Sequence, residues 1–586
     1  MSSAPNTSVP PRERPLRIAS ALRGVLASGY GPGDLRRDLV AGCTVGIVAL
    51  PLSMALAIAT GAPPQYGLYT AIVAGTIVAL LGGSAVQVSG PTAAFVVILA
   101  PITAQYGMPG LLVATIIAGL ILLVMGLARL GSWIEFVPYP VTTGFTAGIA
   151  VVIATLQLRD LLGLHVESLP DHYIDRVLAL WQALPSWRWV DALVGAVTLA
   201  ALLLTTRLTR HVPAALVAIP LGALLALALH AANPDWNAET IQSRFGGIPK
   251  EPPALVLPWA LQDPSHGPLP FNWDAVRGLA LSGLAIALLG AIESLLSAVV
   301  ASGISGTEHD PDAELVAQGV GNIVAPFFGG FAATGAIART AANIRAGARS
   351  PIAAIVHAVF LLGAIVLAAP VLAYIPMASM AALLILVAWN MAEVRHFIHT
   401  LHVAPSGDRF LLLLCFGLTV VFDMTVAVTV GVVLAALMFM SRMAGQTGIQ
   451  MVGEHHAIPG GPLPPHVLVY EVRGPLFFGA AQRAVSVLKR IDRELSVVVL
   501  DVRSVPVLDQ TGLVSLESAL AKLHATHVYT IVAGVQPQPM ALMARAGWGN
   551  REWLSFYTSF DEAIGIARTL GELLPPAIKR SAPEVG

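Results

Sequence analysis

The sequence predicts a polytopic all-α membrane domain followed by a small soluble α/β domain. Of its 586 residues, 56% are hydrophobic and only 11% are charged, whereas soluble domains average about 25% charged residues. Between residues 39 and 442 the chain is a succession of apolar runs, most of them near the roughly 20 residues that cross a bilayer as a helix. After Arg442, short β-type runs alternate with helical ones, which is typical of a small α/β domain.

The apolar part predicts fourteen transmembrane segments, seven on each side of a polar stretch at residues 231–277. Eleven runs are clear: 40–59, 67–81, 111–130, 141–156, 190–204, 213–229, 279–300, 352–369, 375–389, 410–421 and 426–440. Three shorter runs are rich in small residues: 92–102, 315–328 and 336–346. Because each half has an odd number of segments, the halves enter the membrane from opposite sides. That is the arrangement of a 7+7 inverted repeat, which is common in transporters.

Basic residues set the predicted orientation, since cytoplasmic loops carry an excess of Lys and Arg. Basic residues cluster before the first run, at Arg12, Arg14, Arg17, Arg23, Arg36 and Arg37. They recur after the sixth run, at Arg207, Arg210 and His211, and after the tenth, at Arg345 and Arg349. Both termini are therefore predicted to be cytoplasmic. The predicted domains are a cytoplasmic leader at residues 1–37, a membrane domain at 38–443 and a soluble domain at 466–575. The two repeats cover residues 38–231 and 278–443.

The soluble domain is predicted from strands at 467–472, 496–502 and 528–533, and from helices at 480–494, 510–523, 540–546 and 560–573. Asp509 and Thr511 fall at the start of the second of these helices. Capping alone explains both residues there. A hydroxyl at that place is also a candidate phosphorylation site.

Two segments predict helices that begin partway through the membrane. In Val86-Gln-Val-Ser-Gly-Pro-Thr-Ala-Ala-Phe95, a Gly-Pro pair precedes a short apolar run; Pro suits a first helical turn because it lacks an N–H group that would have no partner there. A glycine-rich approach to a short helix recurs at residues 329–340 in the second half. Free N–H groups at a helix start attract anions. Either segment alone would favour close helix packing, but the pairing of two such breaks favours a substrate site near the midplane.

Two charged residues accompany these breaks. Arg339 lies in the second of them, where it could bind an anion, cap the helix or extend to the inner interface. Glu293 lies well inside the eighth run. A carboxylate in the membrane interior costs roughly 3 kcal/mol or more unless it is paired, hydrated or protonated. We interpret it as the residue that couples a proton, or Na⁺, to transport; the alternative is a structural ion pair with Arg339.

Other kinds of function have little support. The sequence has no phosphate-binding glycine loop, no Ser/His/Asp triad and no zinc-ligand spacing, so it predicts no enzyme, no cofactor and no metal site. A formal net charge of −1 gives no indication of nucleic-acid binding.

Several segments resemble the SulP sulfate-permease family of anion transporters. They are Ala49-Leu-Pro-Leu-Ser-Met-Ala-Leu56, Pro64-Gln-Tyr-Gly-Leu-Tyr69, Val88-Ser-Gly-Pro-Thr-Ala-Ala-Phe95 and Ala333-Thr-Gly-Ala-Ile-Ala-Arg-Thr340. The Asp509-Gln-Thr-Gly512 turn is similar to the C-terminal STAS domain of that family. Within the family, segments such as Leu289-Gly-Ala-Ile-Glu-Ser-Leu-Leu296 are most similar to bacterial C4-dicarboxylate transporters.

The resemblance implies a core domain that moves against a gate domain, a homodimer in the bacterial inner membrane, and a STAS domain with a possible cytoplasmic partner. It also implies that the anion binds between the two half-helices, with Glu293 close by. The substrate-binding residues that it assigns are Thr92, Ala94, Phe95, Gly335, Ala336 and Arg339. Leu52 departs from the family, because many relatives carry a glutamine there.

These observations predict proton-coupled symport of C4-dicarboxylates such as succinate, fumarate and aspartate. The alternatives are sulfate or bicarbonate transport, with Na⁺ as a coupling ion, and, more remotely, a membrane signalling protein whose output is the STAS domain.

Overall fold

The structure is a computed structural model that describes residues 18–132, 137–166, 170, 172–209, 212–261, 272–422, 424–452, 461–477 and 495–574. The predicted helix at 480–494 and the residues Arg12, Arg14, Arg17, Arg210 and His211 lie outside these ranges. The chain divides into two compact units, Met1–Val432 and Val433–Gly586.

In the described residues of the first unit, the regular elements are helices and two short strands. The strands are β1 (Ser89–Gly90) and β2 (Thr334–Gly335). The helices are α1 (Ser20–Ala27), α2 (Pro32–Ala59), α3 (Pro64–Leu81), α4 (Ala93–Leu127), α5 (Tyr139–Leu162), α6 (Tyr173–Ala183), α7 (Trp189–Leu208), α8 (Ala214–Ala232), α9 (Ile241–Phe245), α10 (Trp273–Ser305), α11 (Pro311–Val324), α12 (Ile337–Arg345), α13 (Ile352–Leu372), α14 (Met377–Ala392), α15 (Val394–Val403), α16 (Ser406–Val421) and α17 (Met424–Gln446), the last of which crosses into the second unit.

The fourteen predicted segments all correspond to helices. Ten helical stretches of the described residues are long and apolar enough to cross a membrane. One of them, α4, contains two segments, because Gly107 breaks the helix with φ 65° and ψ −171°. The shorter helices α11, α12 and α16 provide the rest. The predicted membrane fold is confirmed.

The two halves of this unit pack in the same way, as an inverted repeat requires. In one half of the contact pattern α2 packs on α13, and in the other α10 packs on α4 in the equivalent way. Likewise α3 packs on α13 as α11 packs on α4, and α5 packs on α16 as α14 packs on α7. These contacts define two bundles. The core bundle contains α2–α4 and α10–α13, and the gate bundle contains α5, α7, α8, α14 and α16.

Small residues allow a close helix crossing between α4 and α11 in the core bundle. A Cβ atom added to Gly119 of α4 would lie 2.8 Å from the carbonyl oxygen of Gly319 and from the nitrogen of Ile323, both on α11. A Cβ atom on Gly319 would lie 2.6 Å from the nitrogen of Leu123. Membrane helices approach this closely only where side chains are absent. The small-residue composition of the run at 315–328 therefore reflects packing.

The second unit is an α/β domain. Its strands are β3 (Gly448–Met451), β4 (Val467–Arg473), β5 (Val497–Ser504), β6 (Tyr529–Ala533) and β7 (Leu554–Tyr557), and its described helices are α18 (Gln510–Ala525), α19 (Pro537–Arg545) and α20 (Phe560–Leu573). The sheet order is β3-β4-β5-β6-β7, with only the β3–β4 pairing antiparallel.

Alternate residues of β5 face the two sides of this sheet. Val498 and Leu500 belong to one buried cluster together with residues of α18, whereas Val497 and Val499 belong to another with residues of α20. This alternation is the two-residue period of a strand. A strand that is buried on both faces reads as a continuous apolar run, which explains why the sequence predicts β5 well.

The Gly119 contact predicts a stability difference between two glycines of the core bundle. Gly119→Ala places a methyl group against backbone atoms of α11 and is expected to cost roughly 1–3 kcal/mol, as overpacking does. Gly363→Ala on α13 is the matched control, since a Cβ atom there meets nothing within 4 Å. Thermal unfolding of the purified protein in detergent should show a lower Tm for Gly119→Ala alone. Equal Tm values for the two variants would show that the crossing tolerates a methyl group.

Candidate functional site

The two half-helix segments meet inside the core bundle. β1 pairs with β2 in antiparallel register, with Ser89 opposite Gly335, and the Ala336 N–H donates to the Val88 carbonyl over 2.9 Å. α4 continues from β1 and α12 from β2. Because the strands are antiparallel, the two helices leave the pair in opposite directions, so that their N-termini face each other.

The starts of these two helices have no side-chain caps. The N-cap residues Thr92 of α4 and Ala336 of α12 are both extended, and neither accepts a hydrogen bond from the first turn through its side chain. The first N–H groups of a helix have no partner within the helix. Two groups of N–H donors and two positive dipole ends therefore converge on one place, which favours a negatively charged ligand.

Glu293 contacts the start of α4. The Thr92 hydroxyl donates to Glu293 Oε2 over 2.8 Å, which links α10 to the first half-helix. Both side chains are half-buried. Among the described residues no ion pair joins Glu293 to Arg339, so the structure does not support Glu293 as the structural partner of that arginine.

Arg339 is buried at the same place, with 2% of its surface exposed. Its Nη2 donates to the Pro91 carbonyl, and its Nε and Nη1 have no hydrogen-bond partner among the described residues. The side chain therefore does not extend to the membrane interface. Gly90, at φ 159°, makes room for it, because a Cβ atom there would lie 2.6 Å from Nη1. A buried guanidinium with N–H groups to spare can donate two parallel hydrogen bonds to a carboxylate or another oxyanion.

The remaining predicted residues lie around this point. Ala94 and Phe95 are 1% exposed in the first turn of α4, and the Phe95 ring would lie 3.3 Å from a Cβ atom on Gly290 of α10. Gly335 is close to Gln87, whose Nε2 would lie 2.2 Å from an added Cβ atom. The structure thus brings the six predicted residues and Glu293 into one region, and their roles in binding remain predictions.

The extended backbone beside the half-helices is held by polar side chains. The Thr340 hydroxyl accepts from the Val88 N–H over 3.1 Å. The Asn322 side chain accepts from the Ala333 N–H over 2.7 Å and donates to the Ala333 carbonyl over 2.9 Å. Each of these bonds satisfies a backbone group that a continuous helix would satisfy internally, as the membrane interior requires.

A buried hydrogen-bond network around the carboxylate of Glu314 lies behind β1. It was not predicted from the sequence. Glu314, 1% exposed, accepts from Gln87 Nε2 over 2.9 Å, from Gln318 Nε2 over 3.1 Å and from the Gly83 N–H over 3.1 Å. Gln318 Nε2 also donates to the Ser89 hydroxyl over 2.8 Å. Glu314 therefore positions the strand that precedes α4. The spacing of Glu314 and Gln318 on one helix face is the signal that could have revealed it.

Thr511 belongs to the second unit. It is exposed in the first turn of α18, and Asp509 caps that helix by accepting from the Gly512 N–H over 2.6 Å. Capping therefore accounts for Asp509, and the Thr511 hydroxyl is left at the surface. Its phosphorylation stays a prediction.

Known proteins resemble the chain over almost its whole length. Residues 35–414 match the model of the sulfate permease family, and residues 462–563 match that of the STAS domain. The "Putative sulfate transporter YvdB" of Bacillus subtilis is 38% identical over 92% of this chain and 98% of its own. The "Bicarbonate transporter BicA" of Synechocystis is 29% identical over 83% of this chain and 86% of its own. The murine anion transporter Slc26a9, solved in the inward-facing state, has the same fold, with a TM-score of 0.79 at 16% identity over 94% of each chain.

The position of Ala94 predicts steric sensitivity of binding. Ala94→Leu adds three carbons at the start of α4, where the N–H donors must reach the anion, and should abolish anion binding. Ala128→Leu, at an exposed position just beyond the far end of the same helix, is the control. Binding of radiolabelled succinate or sulfate to purified protein is the measurement, with size exclusion to verify folding. Wild-type affinity in a folded Ala94→Leu variant would contradict the assignment.

Proposed function

Since this chain belongs to the sulfate permease family, whose members are anion transporters, we propose that it is a proton-coupled symporter of C4-dicarboxylates that works by alternating access. The observation that carries the coupling is the 2.8 Å hydrogen bond between Thr92 and Glu293. It holds a carboxylate beside two helix starts that attract anions.

The carboxylate and a dianionic substrate cannot occupy this region independently. An ionised Glu293 would repel an incoming dianion. The membrane interior weakens that repulsion less than water does, because its dielectric constant is lower. Protonation of Glu293 removes it, so a proton and the substrate are loaded together and released together. Arg339 does not neutralise Glu293, because no ion pair joins the two residues within the described part of the chain. A proton can neutralise Glu293 instead.

Two facing helix N-termini suit a substrate with two carboxylates. Each terminus offers its own N–H donors, and Arg339 adds two nitrogens without hydrogen-bond partners. A four-carbon diacid can place one carboxylate toward each helix start. This geometry and the resemblance to dicarboxylate transporters are what support the substrate class.

Sulfate or bicarbonate is the second candidate substrate, with Na⁺ as the alternative coupling ion. It is favoured by the relatives that are described as sulfate and bicarbonate transporters. Backbone N–H groups and a guanidinium bind any of these oxyanions.

The proposal includes the setting of the protein. We propose that both termini lie in the cytoplasm of a bacterial cell; the arginines at the start of α2 and at the ends of α7 and α12 support this under the positive-inside rule. We propose that the protein is a homodimer in the inner membrane, and that its STAS domain modulates transport.

Glu293→Gln is expected to separate substrate movement from proton coupling. The amide resembles the protonated acid but cannot release a proton, so the variant should exchange succinate across proteoliposomes at equal pH and should not accumulate it under an inward proton gradient. The control is Glu308→Gln, which removes an exposed carboxylate beyond the end of α10 and should leave both activities unchanged.

The same assay distinguishes the candidates. Uptake of succinate, sulfate and bicarbonate is compared under separate pH and Na⁺ gradients. Proton-driven accumulation by Glu293→Gln at the wild-type level would contradict the coupling role. Accumulation of sulfate or bicarbonate alone, driven by Na⁺, would replace the proposed function by the second candidate.

A further inference from the structure

An arginine-lined cavity lies at the end of the first unit where α2 and α5 end and α7 begins. Its volume is about 660 Å³. One wall comes from the core bundle, at Ile58 and Gly61; the other comes from the gate bundle and from the loop that carries α9. The residues that carry charge or donors into it include Arg159, His165, Arg188, Glu239, Ser243 and Arg244. We call this cavity the arginine vestibule.

Two of the three arginines in the vestibule have carboxylate partners. Arg244 contacts Asp160 at 2.8 Å and Glu239 at 2.6 Å, and Arg188 lies 3.3 Å from Asp191. Although burial opposes it, the hydrogen bonds that Arg244 donates to Glu239 and Asp160 hold its pKa above the ordinary value. These pairs fix three carboxylates and two guanidinium groups in place.

Arg159 is different. Within the described chain it makes no ion pair, and its Nε is buried without a hydrogen-bond partner. It lies in the last turn of α5, where a cation is favoured by the helix dipole. That dipole explains why a cation is tolerated there, but it leaves the Nε–H donor without an acceptor among the described residues. A partly buried guanidinium with a donor to spare requires an acceptor.

We propose that the arginine vestibule binds a small carboxylate or inorganic oxyanion through Arg159 before the anion reaches the half-helices. The ligand would pair with the guanidinium that, among the described arginines lining this cavity, has no carboxylate partner. Because the two walls belong to different bundles, an anion held there lies on the seam along which the bundles separate. The vestibule lies at the C-terminal end of α2, opposite the end that begins at Pro32. It is therefore the extracytoplasmic mouth, a step that rests on the proposed function and orientation.

The vestibule has a kinetic consequence. An entry site raises the local concentration of substrate without taking part in its translocation. Loss of Arg159 should therefore raise KM for external anion while leaving kcat nearly unchanged, as the loss of uniform binding does. Arg159→Gln is expected to raise KM about tenfold, at the lower end of electrostatic focusing effects.

A direct test measures the charge selectivity of the cavity and needs no transport. Asn237 is an exposed residue that lines the vestibule, so Asn237→Cys, in full-length protein with Cys43→Ser, is a reporter. The protein is placed in nanodiscs, where both faces are open, and is treated with anionic or cationic methanethiosulfonate reagents at fixed ionic strength. The anionic reagent should react about tenfold faster, and millimolar succinate or sulfate should slow its reaction.

The variants decide the role of Arg159. Arg159→Gln should remove both the anion preference and the protection, and Arg159→Lys should retain the preference. Arg207→Gln, which removes an exposed arginine at the opposite end of α7, should behave as the parent. An unchanged reagent ratio and unchanged protection in Arg159→Gln would overturn the proposal. If the vestibule behaves as expected and no anion is accumulated in proteoliposomes, the entry site stands and the proposed symport fails.

Discussion

The antiparallel pairing of two short strands inside the membrane unit is the contact on which the rest of the site depends. A helix that starts midway through a bilayer leaves extended backbone that water cannot satisfy. Here each break satisfies the other across β1 and β2, and side chains such as Thr340 complete the pairing. The first N–H groups of α4 and α12 are the backbone donors that this pairing does not satisfy. The stability requirement and the anion site are thus two consequences of one arrangement.

Charge placement around this pairing separates structural from functional roles. Glu314 accepts hydrogen bonds from several neutral donors and supports β1 from behind. Glu293 accepts one from Thr92 beside the helix starts. Arg339 braces the Pro91 carbonyl and retains nitrogens without partners. A carboxylate with many donors is fixed in one state, whereas one with few donors can exchange a proton as the substrate comes and goes.

Much of this could be predicted from the sequence, because membrane helices and buried strands leave strong composition signals. All fourteen segments were predictable, as were the two breaks, since Gly-Pro and Gly-Gly punctuate apolar runs. β3 and β7 were not, because four-residue strands carry too little periodicity. Glu314 was also missed: it sits just before a small-residue run, and its role depends on Gln87, which is 227 residues away in sequence. Nor could sequence show that, in the part of the chain that the structure describes, Arg339 and Glu293 are not paired with each other, because only three-dimensional packing decides which charges meet.

The central claim is that the anion binds between the starts of α4 and α12, with Arg339 as its charged contact. A cryo-EM structure of the protein in lipid nanodiscs with saturating succinate tests this most directly, and selenate provides a denser oxyanion for comparison. The account predicts ligand density between the two helix starts, within hydrogen-bond distance of an Arg339 nitrogen and close to Glu293. Density at another place in the membrane unit, with these helix starts empty, would contradict it.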